Sequence, residues 1–224
     1  MEEIRKSHNL VKRHLIQKVT CHKKGLHVLD VGCGRGGDLQ KWAFGKVFLD
    51  ACDPDEESLK EAVQRSYSMR WRVNFFNGDI FSCPYKKYDV ICYNFSLQYI
   101  FQNGGLFFKS LNEIRKRMKP GGKLIGCIPD SEQVLNRTPI KDTLGNYMIR
   151  KDDSGYGNFG EKLFVYLTDT PYYSGGPIPE PIAYKDMLIT HLENKGFTLE
   201  SWTPFDTQFE ISKIYSQFIF VYNK

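Results

Sequence analysis

The chain is poor in the residues that staple or metallate a fold. Its six cysteines (Cys21, Cys33, Cys52, Cys83, Cys92, Cys127) form no CxxC pair, and its five histidines show no ligand spacing. A zinc site and a disulfide framework are therefore not expected, so the metal set is predicted to be none. The cysteines lie mostly in apolar runs and read as reduced core thiols of a cytosolic or nuclear protein. No apolar run approaches the roughly 18 residues of a membrane span, and the N-terminus lacks a signal-peptide core. Repeats and low-complexity stretches are missing as well. What remains is 224 residues, 41% hydrophobic and 25% charged, which excludes disorder and fits one domain, or a domain with an insertion.

An excess of charge of one sign is found only at one end. Residues 1–25 hold Arg5, Lys6, Lys12, Arg13, Lys18, Lys23 and Lys24 against Glu2 and Glu3, which equals the whole net charge of +5. The rest of the chain is balanced. A basic opening segment suits a polyanion, and a solvated helix face is the plainer alternative.

Val11, Leu15 and Val19 recur every four residues and predict an opening helix over residues 1–25. Strands are predicted at His27–Gly32, Val47–Asp53, Trp71–Phe76, Tyr88–Tyr93 and Lys123–Ile128. Helices are predicted at Asp55–Ser68 and about Leu106–Met118, the latter stopped by Lys119-Pro120-Gly121-Gly122. This alternation indicates a parallel, doubly wound sheet. Residues 136–181, rich in Gly, Asp, Pro and Tyr with a strand-like Lys162–Leu167, read as an excursion over the active edge of the sheet. A helix at Tyr184–Asn194 and a hairpin of Phe197–Trp202 with Tyr215–Tyr222 close the chain. The expected fold class is α/β, a Rossmann-like methyltransferase sheet of seven strands, mostly parallel with one antiparallel, and helices on both faces. All 224 residues are read as a single domain.

Asp30-Val31-Gly32-Cys33-Gly34-Arg35-Gly36-Gly37 ends a strand and opens a helix. Its glycines satisfy a dinucleotide pattern, so alone they discriminate little. Asp30 beside the loop suits an ammonium and repels a pyrophosphate. Asp53, 23 residues on, is placed to accept two ribose hydroxyls. A nucleoside with a cationic amino-acid tail fits both, and S-adenosylmethionine is that molecule. Asp79, with Ile80 following it, is placed for the adenine.

The segment Val28–Leu39, with Asn94-Phe95-Ser96-Leu97-Gln98-Tyr99 and Ile128-Pro129-Asp130-Ser131, resembles the messenger-RNA cap guanine-N7 methyltransferases. The likeness runs from His8-Asn9-Leu10-Val11-Lys12 to Ile214-Tyr215. Tyr172–Pro181 suggests the methyltransferase domain of a large DNA virus capping enzyme, hence a piece of a longer polypeptide. The resemblance implies that Lys12 reaches the cofactor carboxylate, Asp30 and Gly32 the methionine moiety, and Asp53 the ribose. Asp38 is implied near the ammonium or as a helix cap, and Asn94, Ser96 and Tyr99 beside the methyl group. For the cap it implies Arg35, Lys41 and Arg65 on the triphosphate and Glu180 on the guanine N1 and N2 hydrogens. Phe95, Pro129, Tyr166 and Tyr215 are the implied walls. Gln98 stands where the family usually has His, and is expected to donate to guanine O6.

The partners implied are capped RNA, RNA triphosphatase and guanylyltransferase domains of the same polypeptide, and RNA polymerase, with no membrane. The location implied is cytoplasmic for a viral enzyme and nuclear for a cellular one. Guanine N7 has a lone pair and no proton, so no catalytic base is expected and proximity carries the reaction. Three other readings stay open: an NAD-dependent oxidoreductase, a small-molecule methyltransferase, and a non-catalytic RNA-binding member.

Overall fold

The computed structural model describes residues 2–69, 71–141, 145, 147–152, 159–168 and 175–224. The elements that build the main layer are α1 (Glu2–Thr20), β1 (His27–Val31), α2 (Leu39–Phe44), β2 (Phe48–Asp53), α3 (Glu56–Ser68), β3 (Val73–Asn77) and β4 (Tyr88–Asn94). They continue through α4 (Gly104–Arg117), β5 (Met118–Pro129) and α5 (Ser131–Arg137). A second sheet follows, made of β6 (Ile140–Lys141), β7 (Tyr147–Lys151), β8 (Lys162–Leu167) and β9 (Ile178–Pro181). Helix α6 (Lys185–Glu193), β10 (Phe197–Pro204) and β11 (Tyr215–Tyr222) end the chain.

The main sheet has seven strands in the order β10-β11-β5-β4-β1-β2-β3. β1 pairs parallel with β2 and β4, as do β2 with β3 and β4 with β5, whereas β11 runs antiparallel to both neighbours. Central strands buried on both faces need continuous apolar runs. Val28 and Leu29 show why: one faces a core with α1 and α2, the other a core with α4 and α6. Parallel strands also put all their carboxyl ends on one edge, and the sequence order reverses between β1 and β4, which opens a crevice there.

Two local details differ from the sequence expectation. Lys119–Gly122 does not separate helix from strand. The chain is extended from Met118, and the residues between Met118, opposite Tyr88, and Lys123, opposite Val90, bulge out. Gly121, at φ +73°, permits that turn.

The second sheet is the larger departure, because only Lys162–Leu167 of its four strands was expected. Its order is β6-β7-β8-β9, so β9 is an edge, where Pro179 and Pro181 are tolerated. Ile149, Leu163 and Val165 are buried in the same core as α1 and α2. Helix α5 was also not expected. Asp130 caps it through the Glu132 N–H (3.0 Å) and accepts from Ser216 Oγ (2.6 Å) and Trp202 Nε1 (2.7 Å). That carboxylate ties the end of β5 to both closing strands.

Among the described residues, no helix is long and apolar enough to cross a membrane, and no cluster of three or more His, Cys, Asp or Glu could hold a metal ion.

Candidate active site

The carboxyl edge of the main sheet gathers most of the residues singled out above. Gly32 leaves β1 at φ +76°, and a Cβ there would stand 2.4 Å from Ser96 Cβ. Only glycine lets the ends of β1 and β4 approach so closely. Ser96 donates to the Val31 carbonyl (2.6 Å), which fixes the same junction. Gly34, at φ +51°, faces open space where its side chain would be. Its N–H donates to Asp53 Oδ2 (2.7 Å), and the Asp55 N–H donates to Asp53 Oδ1 (2.9 Å). Asp53 is thereby aimed, with lone pairs left on each oxygen. Burial raises its pKa above the usual carboxylate value, while those two N–H groups oppose the rise.

Asp79 accepts from the Phe81 N–H (2.9 Å) at the start of a short turn, Ile80–Ser82, and is otherwise exposed. Ile80 is buried against the core below it.

Asp38 proves to be the charge centre of the site. Its Oδ1 pairs with Lys12 (2.9 Å) and Lys41 (2.6 Å), and its Oδ2 accepts from Asn94 Nδ2 (2.9 Å). It occupies the cap position of α2 without bonding any helix N–H, so of its two implied roles the helix cap is not realised. Burial pushes its pKa up, but the two ammonium groups outweigh that and hold it low. Lys41 also donates to Gly37 O (2.8 Å) and to Asn9 Oδ1 on α1 (3.0 Å), so all three of its donors are engaged within the chain. Lys12 lies 5.9 Å above the Phe95 ring; Asp38 is its one ionic partner among the described residues, and donors remain for another acceptor. The Asn94 Oδ1 atom is buried and has no partner among the described residues.

Asp30 is only 2% exposed and accepts from Trp42 Nε1 (3.1 Å). Burial, and then the neighbouring Asp38 charge, raise its pKa to about 7.

An aromatic cluster adjoins this rim, joined to it by Lys12, which pairs with Asp38 and lies over the Phe95 ring. Phe95 directly follows β4 at φ +60°, a left-handed conformation that costs a non-glycine residue on the order of 1 kcal/mol. His8 stacks on it (5.4 Å between centroids, 27° apart), and Tyr215 and Phe205 meet it edge-on. Tyr215 pairs in register with Pro129, so these two implied walls adjoin. The charge of Glu180 adds to the burial that raises the Tyr215 hydroxyl, which puts the carboxylate within electrostatic reach of the cluster.

Gln98 corrects one expectation. Its Nε2 donates to Phe95 O (3.0 Å) and to Glu180 Oε2 (3.1 Å), so its amide hydrogens are spent on the chain and not left for guanine O6. Reversing the amide would set Oε1 against two acceptors, so the network itself fixes its orientation. Gln98 orients Glu180.

Tyr166 is separated from that carboxylate. Leu163 lies opposite Glu180, and Tyr166 falls on the alternate face of β8. Tyr147, opposite Leu167, shares the Glu180 face instead. Tyr99 sits half-buried in the turn after β4, its N–H on Ser96 O (3.3 Å). Of the stretch Tyr172–Pro181, residues 172–174 lie outside the described residues.

Arg35 and Arg65 converge on one carboxylate, Glu61: Arg35 Nη1 lies 2.8 Å from it, and Arg65 bonds its other oxygen. All three side chains are at least one-third exposed. Sequence reasoning missed Glu61, although it lies four residues before Arg65 on α3. It also missed His8, four residues before Lys12, and Trp42 and Phe205, whose roles depend on tertiary packing.

The strand order and the glycine rim define a Rossmann-like class I methyltransferase fold. A methyltransferase of Clostridium acetobutylicum described as S-adenosylmethionine-dependent superposes with TM-score 0.66 at 12% identity, covering 97% of this chain and 91% of that one. The glycopeptide N-methyltransferase MtfA, complexed with S-adenosylmethionine, does so with TM-score 0.64 at 14% identity, covering 95% and 93%. Within that class, residues 1–212 match the mRNA (guanine-N(7))-methyltransferase domain, and the chain belongs to this family. The mRNA cap guanine-N(7) methyltransferase of Saccharomyces cerevisiae is 29% identical over 96% of this chain and 56% of its own length. That of Candida glabrata is 33% identical over 95% and 57%. The chain spans between about a quarter and somewhat over half of the curated relatives it matches.

Proposed function

We propose that this chain binds S-adenosylmethionine along the glycine rim and methylates N7 of the guanosine that caps messenger RNA. The observation that carries the reading is a buried carboxylate, Glu180, pinned by Gln98, whose amide also bonds the Phe95 carbonyl, and within electrostatic reach of Tyr215. A guanine offers two N–H groups on one edge and two flat faces, which a carboxylate flanked by aromatics complements.

The rim residues fit the cofactor. Open space at Gly34, the aimed carboxylate of Asp53, the uncapped oxygen of Asp79, the orphan Asn94 Oδ1 and the spare donors of Lys12 supply one feature for each of its polar groups. When bound, it supplies a methyl group on a sulfonium sulfur. The chain contributes alignment: Glu180 fixes the purine edge, and stacking on the rings contributes on the order of 1–3 kcal/mol. With an unprotonated acceptor nitrogen no base is required, and holding the two reactants in line supplies the rate. Buried Asp38, with its two lysines, keeps the floor of the site polar and fixed.

We read residues 1–224 as one such domain, with residues 136–181 on the substrate side. Triphosphatase and guanylyltransferase chemistry must precede it, because the acceptor is a finished GpppN end. Support for cap chemistry over small-molecule methylation comes from Arg35 and Arg65, paired on one exposed side, and from the basic helix α1.

Two substitutions test the assignment. Glu180→Ala should lose activity through the cap, with S-adenosylhomocysteine binding by calorimetry unchanged. Asp53→Ala should weaken S-adenosylhomocysteine instead. Full activity of Glu180→Ala on capped RNA would sink the guanine assignment.

A further inference from the structure

Helix α1 presents two different faces. His8 and Lys12 turn inward to the aromatic cluster and Asp38. Lys6, Asn9 and Arg13, three and four residues apart, line a groove of about 450 Å³ whose other wall is Gly37, Gln40 and Lys41. We propose that this groove carries the RNA that follows the cap. The inference rests on the cap reading above and extends it to a surface that adjoins the rim at Gly37 and Lys41.

No acid lines the groove. Among the described residues Arg13 has no ion pair, and Lys6 has only its exposed contact with Glu2 (2.7 Å). An exposed pair of that kind is easily exchanged for a phosphate. Lys41 carries the electrostatic signature: burial lowers its pKa and Asp38 opposes this, yet the charges of Lys12 and Arg13 push it down further. Gly37 and Lys41 join the groove to the rim, because Lys41 bonds both Gly37 O and Asp38.

Asn9 and Gln40 add neutral donors and acceptors suited to ribose and phosphate. One turn beyond Gln40, Phe44 is 76% exposed and offers a flat face on which a base can stack. An acidic peptide would use the cations but has no need of that ring. Lys6 and Arg13, two of the seven basic residues in the opening segment, thereby acquire a ligand.

The test compares the full chain with Lys6→Glu/Arg13→Glu on two acceptors, the dinucleotide GpppA and a capped ten-nucleotide RNA. Kinetic constants on GpppA should stay within about twofold, which also shows that the variant is folded. KM for capped RNA should rise roughly tenfold, and the salt slope of log(kcat/KM) should fall by about 1.4 for two lost single-strand contacts. Phe44→Ala should raise the RNA KM without altering that slope.

An unchanged RNA KM in the double variant would overturn the inference. So would a parallel loss on GpppA. An unchanged RNA KM together with lost binding of a polyglutamate peptide would assign the groove to an acidic protein. Failure of the parent chain to methylate GpppA would instead retire the cap reading itself.

Discussion

His8 offers a prediction whose size follows from its surroundings. The ring is packed against Phe95, Phe205 and Tyr215, and its Nε2 lies 2.8 Å from Ser212 Oγ. Burial, and then the charge of Lys12, lower its pKa from 6.5 to about 4. The folded chain therefore resists protonation more than the unfolded one does. Stability is intact above pH 6.5 and is lost as the pH falls toward 4. The full shift corresponds to about 3 kcal/mol, of which about 2 kcal/mol is lost by pH 5.

Asp30 works in the opposite sense over much the same window. Its pKa is raised to about 7, so its contribution grows as the pH falls. A bare pH profile would mix the two, and a difference against a variant isolates His8. His8→Asn keeps a polar group near Ser212 but does not titrate. Urea unfolding of both proteins at pH 7.5 and pH 5 should show the parent losing about 2 kcal/mol relative to the variant. A stability difference that is the same at both pH values would refute the claim that His8 is held neutral by its packing.

Other substitutions separate folding from binding at the same edge. Gly34→Ala places a methyl in the open space of the rim at a positive φ, costing on the order of 1 kcal/mol of stability; S-adenosylhomocysteine affinity by calorimetry should fall at least tenfold. Gly32→Ala collides with Ser96 and should fail to give a cooperative thermal transition. Glu61→Gln releases Arg35 and Arg65, whose exposed pairs contribute at most about 1 kcal/mol. The melting temperature should barely move, while KM for GpppA falls and steepens with salt. Gln98→Leu unpins Glu180, so KM for GpppA should rise roughly tenfold, the loss of a buried hydrogen bond to a charged group, with S-adenosylhomocysteine binding unaltered.

The parallel sheet was legible because strands buried on both faces leave short apolar runs, and Val28–Val31 and Tyr88–Asn94 are such runs. The rim was legible for a related reason: a chain leaving a strand under a close neighbour needs glycine, and Gly32 against Ser96 is that neighbour. Resemblance added the residues of the substrate side, and there the structure refines it. Asp38 reads from sequence as a neighbour of the cofactor ammonium or as a helix cap, since nothing local reveals that Lys12, Lys41 and Asn94 converge on it from three elements. Gln98 reads as a ligand donor, because its commitment to Glu180 depends on residues 82 positions apart in the chain. Most of the second sheet escaped notice because Tyr147–Lys151 is short and β9 contains two prolines, a pattern that propensity assigns to loop. Phe205 carries no local signal at all; it joins the cluster only through the pairing of the closing strands.

The most direct measurement is the identity of the methylated atom. The chain is incubated with methyl-labelled S-adenosylmethionine and GpppA, and the product is digested to nucleosides. All label should appear in 7-methylguanosine, and none should form from uncapped RNA. Label on a ribose 2′-oxygen, or on the adenine, would contradict the placement of the guanine edge against Glu180.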